Sequence, residues 1–120
     1  MAAENGFVLL DLGEQRLVVL NQLLDFEADE LDELQAADRL ADEGVSCEII
    51  DLRTLNPVDW QTLEASVKRT GKCLVMHEDC RFVGYGAEIA AELTERCFTF
   101  LDGPVRRLAG ADTPVPYNWE

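Results

Sequence analysis

Val45-Ser46-Cys47-Glu48-Ile49-Ile50-Asp51-Leu52-Arg53-Thr54-Leu55-Asn56-Pro57 is an apolar run that stops abruptly in charged and turn-forming residues. Gly44 ahead of it can close a helix, since glycine adopts left-handed backbone without a steric cost, and Asn56-Pro57 behind it interrupts any regular element. Cys47 to Leu52 is rich in β-branched and apolar side chains, which suits a central strand buried on both faces of a parallel sheet. Asp51, Arg53 and Thr54 then fall at the strand's carboxyl end, where open α/β sheets place their working groups.

Downstream, Trp60, Leu63 and Val67 recur at helical spacing within Asp59 to Arg69. Asp59 near the start and Lys68-Arg69 at the end match the helix dipole, and Thr70-Gly71 closes the helix. Lys72 to Met76 follows as a short apolar strand, which completes a βαβ unit and predicts two parallel strands with the helix over one face. His77 to Gly86 reads as a polar loop, and Ala87 to Phe98 as a helix with Ile89, Leu93 and Cys97 on one face. After the turn Asp102-Gly103-Pro104, Val105 to Leu108 is a further parallel-strand candidate, and the proline-bearing tail from Gly110 is extended.

Upstream, Gly6 to Leu12 and Arg16 to Leu20 read most simply as a hairpin, although Leu17 to Leu24 fits the start of the following helix equally well. Six of the nine residues from Asp25 to Glu33 are acidic. Leu31, Leu34, Ala37 and Ala41 supply a dry face behind that wet one, so a helix is expected from Asp29 to Glu43, ended by Gly44.

At 120 residues the chain has the size of one domain, and its hydrophobic fraction of 48% is a globular value. No apolar run reaches the roughly 18 residues a membrane helix needs. The N-terminus carries no secretory pattern, so a cytoplasmic protein with no membrane association is expected. A net charge of -14 disfavours nucleic acid and leaves room for a basic protein partner. Twelve of the 24 acids, against only two bases, lie in residues 1–44. Cys47, Cys73, Cys80 and Cys97 show no metal-ligand spacing, and His77-x-x-Cys80 alone is too little for a closed site, so no metal is expected. Gly84 and Gly86 are a fragment of a phosphate loop, with Glu88 placed to repel an anion. Asp51, His77, Glu78 and Asp79 form an acid/base constellation on paper, with no nucleophile beside them.

The order of several separated motifs carries a resemblance. They are Ile-Asp-Leu-Arg-Thr-Leu-Asn-Pro at 50–57, Ser-Val-Lys-Arg-Thr-Gly-Lys at 66–72 and His-Glu-Asp at 77–79. Gly-Ala-Glu-Ile-Ala-Ala at 86–91, Gly-Pro-Val-Arg-Arg-Leu at 103–108 and Asp-Thr-Pro-Val-Pro-Tyr at 112–117 complete the set. Together they resemble the C-terminal domain of the β subunit of thiamine-diphosphate-dependent 2-oxo acid dehydrogenases, of pyruvate or branched-chain type, within the transketolase C-terminal domain family. The resemblance covers residues 34–120, with 1–33 as an atypical N-terminal segment of the same domain. It implies a three-layer α/β/α fold whose mainly parallel sheet has about five strands, one of them antiparallel.

It also implies a non-catalytic assembly and docking domain that pairs as a homodimer, joins thiamine-binding domains or subunits, and binds the basic subunit-binding domain of the acyltransferase core. Thiamine diphosphate and magnesium belong to preceding domains of the parent enzyme, so this domain is expected to bind no cofactor and to be inactive alone. The docking surface carries over to Asp102 and Asp112, and His77-Glu78 resembles the branched-chain version. Where the family has Thr-Gly-Gly-Phe-Gly, this chain has Phe82-Val83-Gly84-Tyr85-Gly86, which implies a stiffer loop. The competing expectation is an independent small α/β enzyme or ligand domain using the strand ends near Asp51 and His77. A receiver-like signalling domain ranks last, because no lysine follows Lys72.

Overall fold

The computed structural model describes residues 7–9, 15–22 and 29–114, with side chains described from 35 to 114. Strands β1 (Phe7–Leu9) and β2 (Gln15–Gln22) precede helix α1 (Asp29–Asp42) and strand β3 (Val45–Asp51). Helix α2 (Trp60–Thr70), strand β4 (Cys73–Cys80), helix α3 (Tyr85–Cys97), a single 3-10 turn at Phe98–Phe100 and strand β5 (Arg106–Gly110) follow. The strands lie in the order β1-β3-β2-β4-β5. β2 is parallel to β3 and β4, β5 is parallel to β4, and β1 runs antiparallel to β3. The α/β reading with parallel strands stands.

The hairpin does not. β1 and β2 lie on opposite sides of β3, with Phe7 opposite Ile50 and Leu17 opposite Cys47. β3 is buried on both faces, so its backbone amides and carbonyls need a partner on each edge, and the two upstream strands supply one each. A second correction concerns His77 to Cys80, expected as loop but continuing β4 with an irregularity in register between Met76 and Cys80. His77 is buried in step with Cys73 and Val75, while Glu78 and Asp79 are exposed, so the polar composition concealed a strand with one dry face.

Alternation along β3 divides the core. Cys47 and Ile49 pack with Ala37 and Leu40 of α1, whereas Ile50 and Leu52 join Leu63 and Val67 of α2 and Ile89, Leu93 and Cys97 of α3. Helices therefore cover both faces of the sheet. Glu48 sits on the α2 side, where Arg69 from the last turn of α2 grips both of its carboxylate oxygens and compensates its burial. On the outer surface Arg96 of α3 pairs with Glu92 and with Glu64 of α2, and lies 4.7 Å from the Trp60 ring.

The ends of α2 follow their sequence signals. Asp59 accepts hydrogen bonds from the Thr62 amide at 3.1 Å and the Thr62 hydroxyl at 2.7 Å, and Gly71, at φ 73°, donates to the Val67 carbonyl. The Thr62 hydroxyl and then its amide hold the Asp59 carboxyl below its ordinary value. Asp59→Ala is expected to cost about 1 kcal/mol at neutral pH. A carboxyl whose folded value is depressed stabilises above its unfolded value, near about 4, and loses that contribution as pH falls through the folded one. Urea titrations of the two proteins should therefore differ at pH 7 and converge in acid.

Candidate functional site

The carboxyl edge of the sheet is where the sequence places its acid/base constellation, and the strands keep its members apart. Asp51 alternates with Cys47 and Ile49 and so faces the α1 side, while His77 alternates with Cys73 and Val75 and faces α3. β2 runs between them, two strand spacings or about 10 Å across. Asp51 is paired with Arg53 at 3.3 Å. Asp79 accepts from the Cys80 amide at 2.7 Å, and Glu78 is exposed. No acid and base from this set meet.

His77 is 7% exposed, and among the described residues neither of its ring nitrogens has a hydrogen-bond partner. Its imidazole fills the space that side chains at Gly84 and Gly86 would take. A Cβ on Gly84 would stand 2.6 Å from His77 Cε1 and 2.2 Å from the Cys80 carbonyl oxygen, and one on Gly86 2.5 Å from His77 Cδ2. The two glycines thus serve close packing of α3 on β4 rather than an open phosphate cradle. α3 begins with no side-chain cap and carries Glu88 in its first turn. Among the described residues no group of three His, Cys, Asp or Glu is placed to hold a metal ion. These residues do not fit a magnesium-bound diphosphate.

The cysteines act as packing groups. Burial, with a smaller contribution from Cys97, pushes the Cys73 thiol up to about 12, and burial also raises Cys47 and Cys97. Cys80 donates weakly to the Thr113 carbonyl.

The loop after β4 is tied down on all sides. The Arg81 amide donates to the Gly110 carbonyl, the Arg107 guanidinium to the Arg81 carbonyl at 3.0 Å, and the Phe82 amide to Asp112 Oδ1 at 2.7 Å. Beside it, the Tyr85 hydroxyl donates to the Leu55 carbonyl at 2.6 Å. Yet Phe82 and Val83 are 77% and 83% exposed, and Val83 has φ 58°. A β-branched residue in the left-handed region carries strain of about 1–2 kcal/mol. Val83→Gly is expected to raise the stability by about 1 kcal/mol, the strain released less the added freedom of the unfolded chain. A higher urea midpoint with an unchanged slope would register it. The residue types at 82–83 were the signal available in the sequence, and only the backbone angle shows what they do.

Asp102 and Asp112 are not neighbours. Asp102 lies before β5 at the amino edge, exposed, its carboxylate 3.1 Å from Lys72 Nζ and its amide donating to the Gly71 carbonyl. It borders a shallow groove of about 340 Å³ lined with Cys73, Leu74, Pro104 and Arg106. Asp112 lies past the other end of β5, a strand that spans about 17 Å. The two carboxylates therefore belong to opposite edges of the domain.

Residues 32–120 match the family described as Transketolase, C-terminal domain. The chain is 53% identical over 78 residues to 2-oxoisovalerate dehydrogenase subunit beta 2, mitochondrial, of Arabidopsis thaliana, covering 65% of this chain and 22% of that one. It is 48% identical over 85 residues to 2-oxoisovalerate dehydrogenase subunit beta of Pseudomonas aeruginosa, covering 70% and 24%. It is 46% identical over 84 residues to Pyruvate dehydrogenase E1 component subunit beta-1, mitochondrial, of Arabidopsis thaliana, covering 70% and 23%. The chain thus spans about a quarter of the length of these curated relatives. A solved chain described as "Split gene transketolase, inactive beta4 tetramer" superposes with a TM-score of 0.62 at 22% identity, over 93% of this chain and 35% of that one, a likeness of fold.

Proposed function

Because the chain belongs to the transketolase C-terminal domain family, we propose that it is a non-catalytic assembly and docking domain of a 2-oxo acid dehydrogenase decarboxylase component. The supporting observation is the placement of Asp51 and His77 on opposite faces of the sheet, so that among the described residues these two do not form an acid/base pair at the carboxyl edge. In this reading residues 1–33 are part of the same domain, in keeping with the position of β2 inside the sheet, and the sheet is the five-stranded, three-layer kind with one antiparallel strand. Thiamine diphosphate and magnesium are held by companion domains or subunits, and the chain alone does not decarboxylate pyruvate or a branched-chain 2-oxo acid. It works in the cytoplasm of its cell as a homodimer.

The docking partner is the basic subunit-binding domain of the acyltransferase core, and the net charge of -14 supplies the long-range attraction. Asp102 is its contact: exposed, beside an apolar groove, and with its carboxylate in a surface pair with Lys72. Asp102→Lys should weaken capture of an immobilised subunit-binding domain at least tenfold, and Lys72→Met, which frees the carboxylate, should strengthen it. Equal capture by all three proteins would remove Asp102 from the interface. Asp112, whose Oδ1 accepts from the Phe82 amide, is the contact at the opposite edge.

A further inference from the structure

The two faces of the sheet are not covered alike. Along β4 the burial alternates: Cys73, Val75 and His77 are buried on the side of α3, whereas Leu74 and Met76 are half-buried and Glu78 is exposed. β5 continues the pattern, since Arg106 pairs with Leu74 and Leu108 with Met76, and both β5 residues are exposed, Leu108 to 55%. Met76 reaches the cluster of Ala37, Cys47 and Ile49, which places this open face on the α1 side. α1 packs on β3, with β2 between it and β4, and among the described residues no other helix stands on that side. Strands of a parallel sheet are ordinarily buried on both faces. Leu74, Met76 and Leu108 form an apolar strip that lacks its cover.

Dimensions and charge select what fits there. Adjacent strands lie about 5 Å apart, so β4 and β5 together match the roughly 10 Å width of one α-helix. β5 spans about 17 Å, the length of about 11 helical residues. At the amino end of the strip a groove of about 340 Å³ between Leu74, Pro104 and Arg106 can receive one apolar side chain. Arg106 stands exposed at that end and Glu78 at the other. A helix carries partial positive charge at its N-terminus and partial negative charge at its C-terminus. It is therefore held with its C-terminus over Arg106 and its N-terminus over Glu78, antiparallel to the strands, which is also the direction of α2 between the parallel strands β3 and β4.

We infer that the open face of β4 and β5 docks a partner's amphipathic helix of about three turns, with an apolar stripe on Leu74, Met76 and Leu108, a base in its first turn against Glu78 and an acid in its last turn against Arg106. The acid at Arg106 sets this partner apart from the basic domain proposed for Asp102.

Two fluorescent three-turn peptides of identical composition, each with leucines at helical spacing, test this by anisotropy against the full chain at low salt. One carries lysines in its first turn and glutamates in its last, and the other the reverse. Their equal net charge cancels the pull of the -14 background, and the helix dipole favours the second peptide as a free helix. The expected result is the opposite order: saturable binding, with the first peptide held about fivefold more tightly. Leu108→Ser should weaken that binding at least about tenfold with an unchanged urea midpoint, and Arg106→Glu should abolish the preference between the peptides. Preference for the second peptide, or binding indifferent to both substitutions, overturns the assignment. So does failure of both peptides to bind. A self-associated species in sedimentation that Leu108→Ser removes would give the face to a second copy and likewise overturn it.

Discussion

Gly86→Ala is expected to destabilise the domain by about 2 kcal/mol, although alanine is the better helix former. At an open position in α3 the exchange would gain about 1 kcal/mol. Here the new methyl group would lie 2.5 Å from His77 Cδ2 and Nε2 and 3.3 Å from Val75 Cγ1. The imidazole is buried and enclosed by β4 and α3, so it cannot swing aside, and overpacking of this kind costs about 3 kcal/mol. The clash wins. The thermal midpoint should fall by roughly 8 °C for a domain of this size. In a His77→Ala background the methyl group has room, and Gly86→Ala should then be neutral or stabilising by up to about 1 kcal/mol. That reversal of sign, read as a coupling in a double-mutant cycle, is what direct packing of the two residues demands.

Leu63→Ala should cost more, about 3–4 kcal/mol. Leu63 is fully buried at the centre of the cluster that joins α2, α3, β3 and β4, with Leu93, Ile89, Val67 and Val75 around it. Truncation removes apolar contact and leaves a cavity that two helices pinned to a sheet cannot close. Against a domain stability of about 5–15 kcal/mol, the loss is a large share of the total. Leu108→Ala is the matched control. Leu108 is 55% exposed, and its substitution should change stability by less than about 0.5 kcal/mol. Urea unfolding of the three proteins should show a large midpoint shift for Leu63→Ala alone.

Much of this architecture is legible in the sequence because its causes are local. The αL glycines at 44 and 71 end α1 and α2, Asp59 caps α2, and the four-residue spacing of Leu63 and Val67 and of Ile89, Leu93 and Cys97 marks the buried helix faces. β3 reads correctly from its own composition. Pairing between strands is a long-range matter, and there the reading fails: adjacency in the chain suggested a hairpin, whereas β3 inserts between β1 and β2. His77 to Cys80 was hidden for a related reason. A strand with one dry face at its polar end has the composition of a loop, and it is the pairing of His77 with Gln22 of β2 and of Cys80 with Gly110 of β5 that makes it a strand.

The site was less legible than the fold. Asp51 and His77 both fall at strand ends on the same edge, and nothing in the one-dimensional order says that β2 stands between them or that their side chains face opposite ways. Asp102 and Asp112, ten positions apart, sit on opposite edges because β5 separates them. The motif order that resembles the transketolase C-terminal domain did identify the family, and residues 32–120 match it. The departure at Phe82-Val83 from the Thr-Gly that the resemblance implies there is legible too. Its consequence, a strained and outward-facing corner, required the backbone.

The claim that this chain acts by binding rather than by chemistry is tested most directly by titration calorimetry with the basic subunit-binding domain of an acyltransferase, at low and at high salt. The account predicts a saturable complex at low salt that weakens steeply as salt is added, since the attraction between unlike charges is screened within a Debye length. Absence of heat at low salt, or binding indifferent to salt, would contradict it.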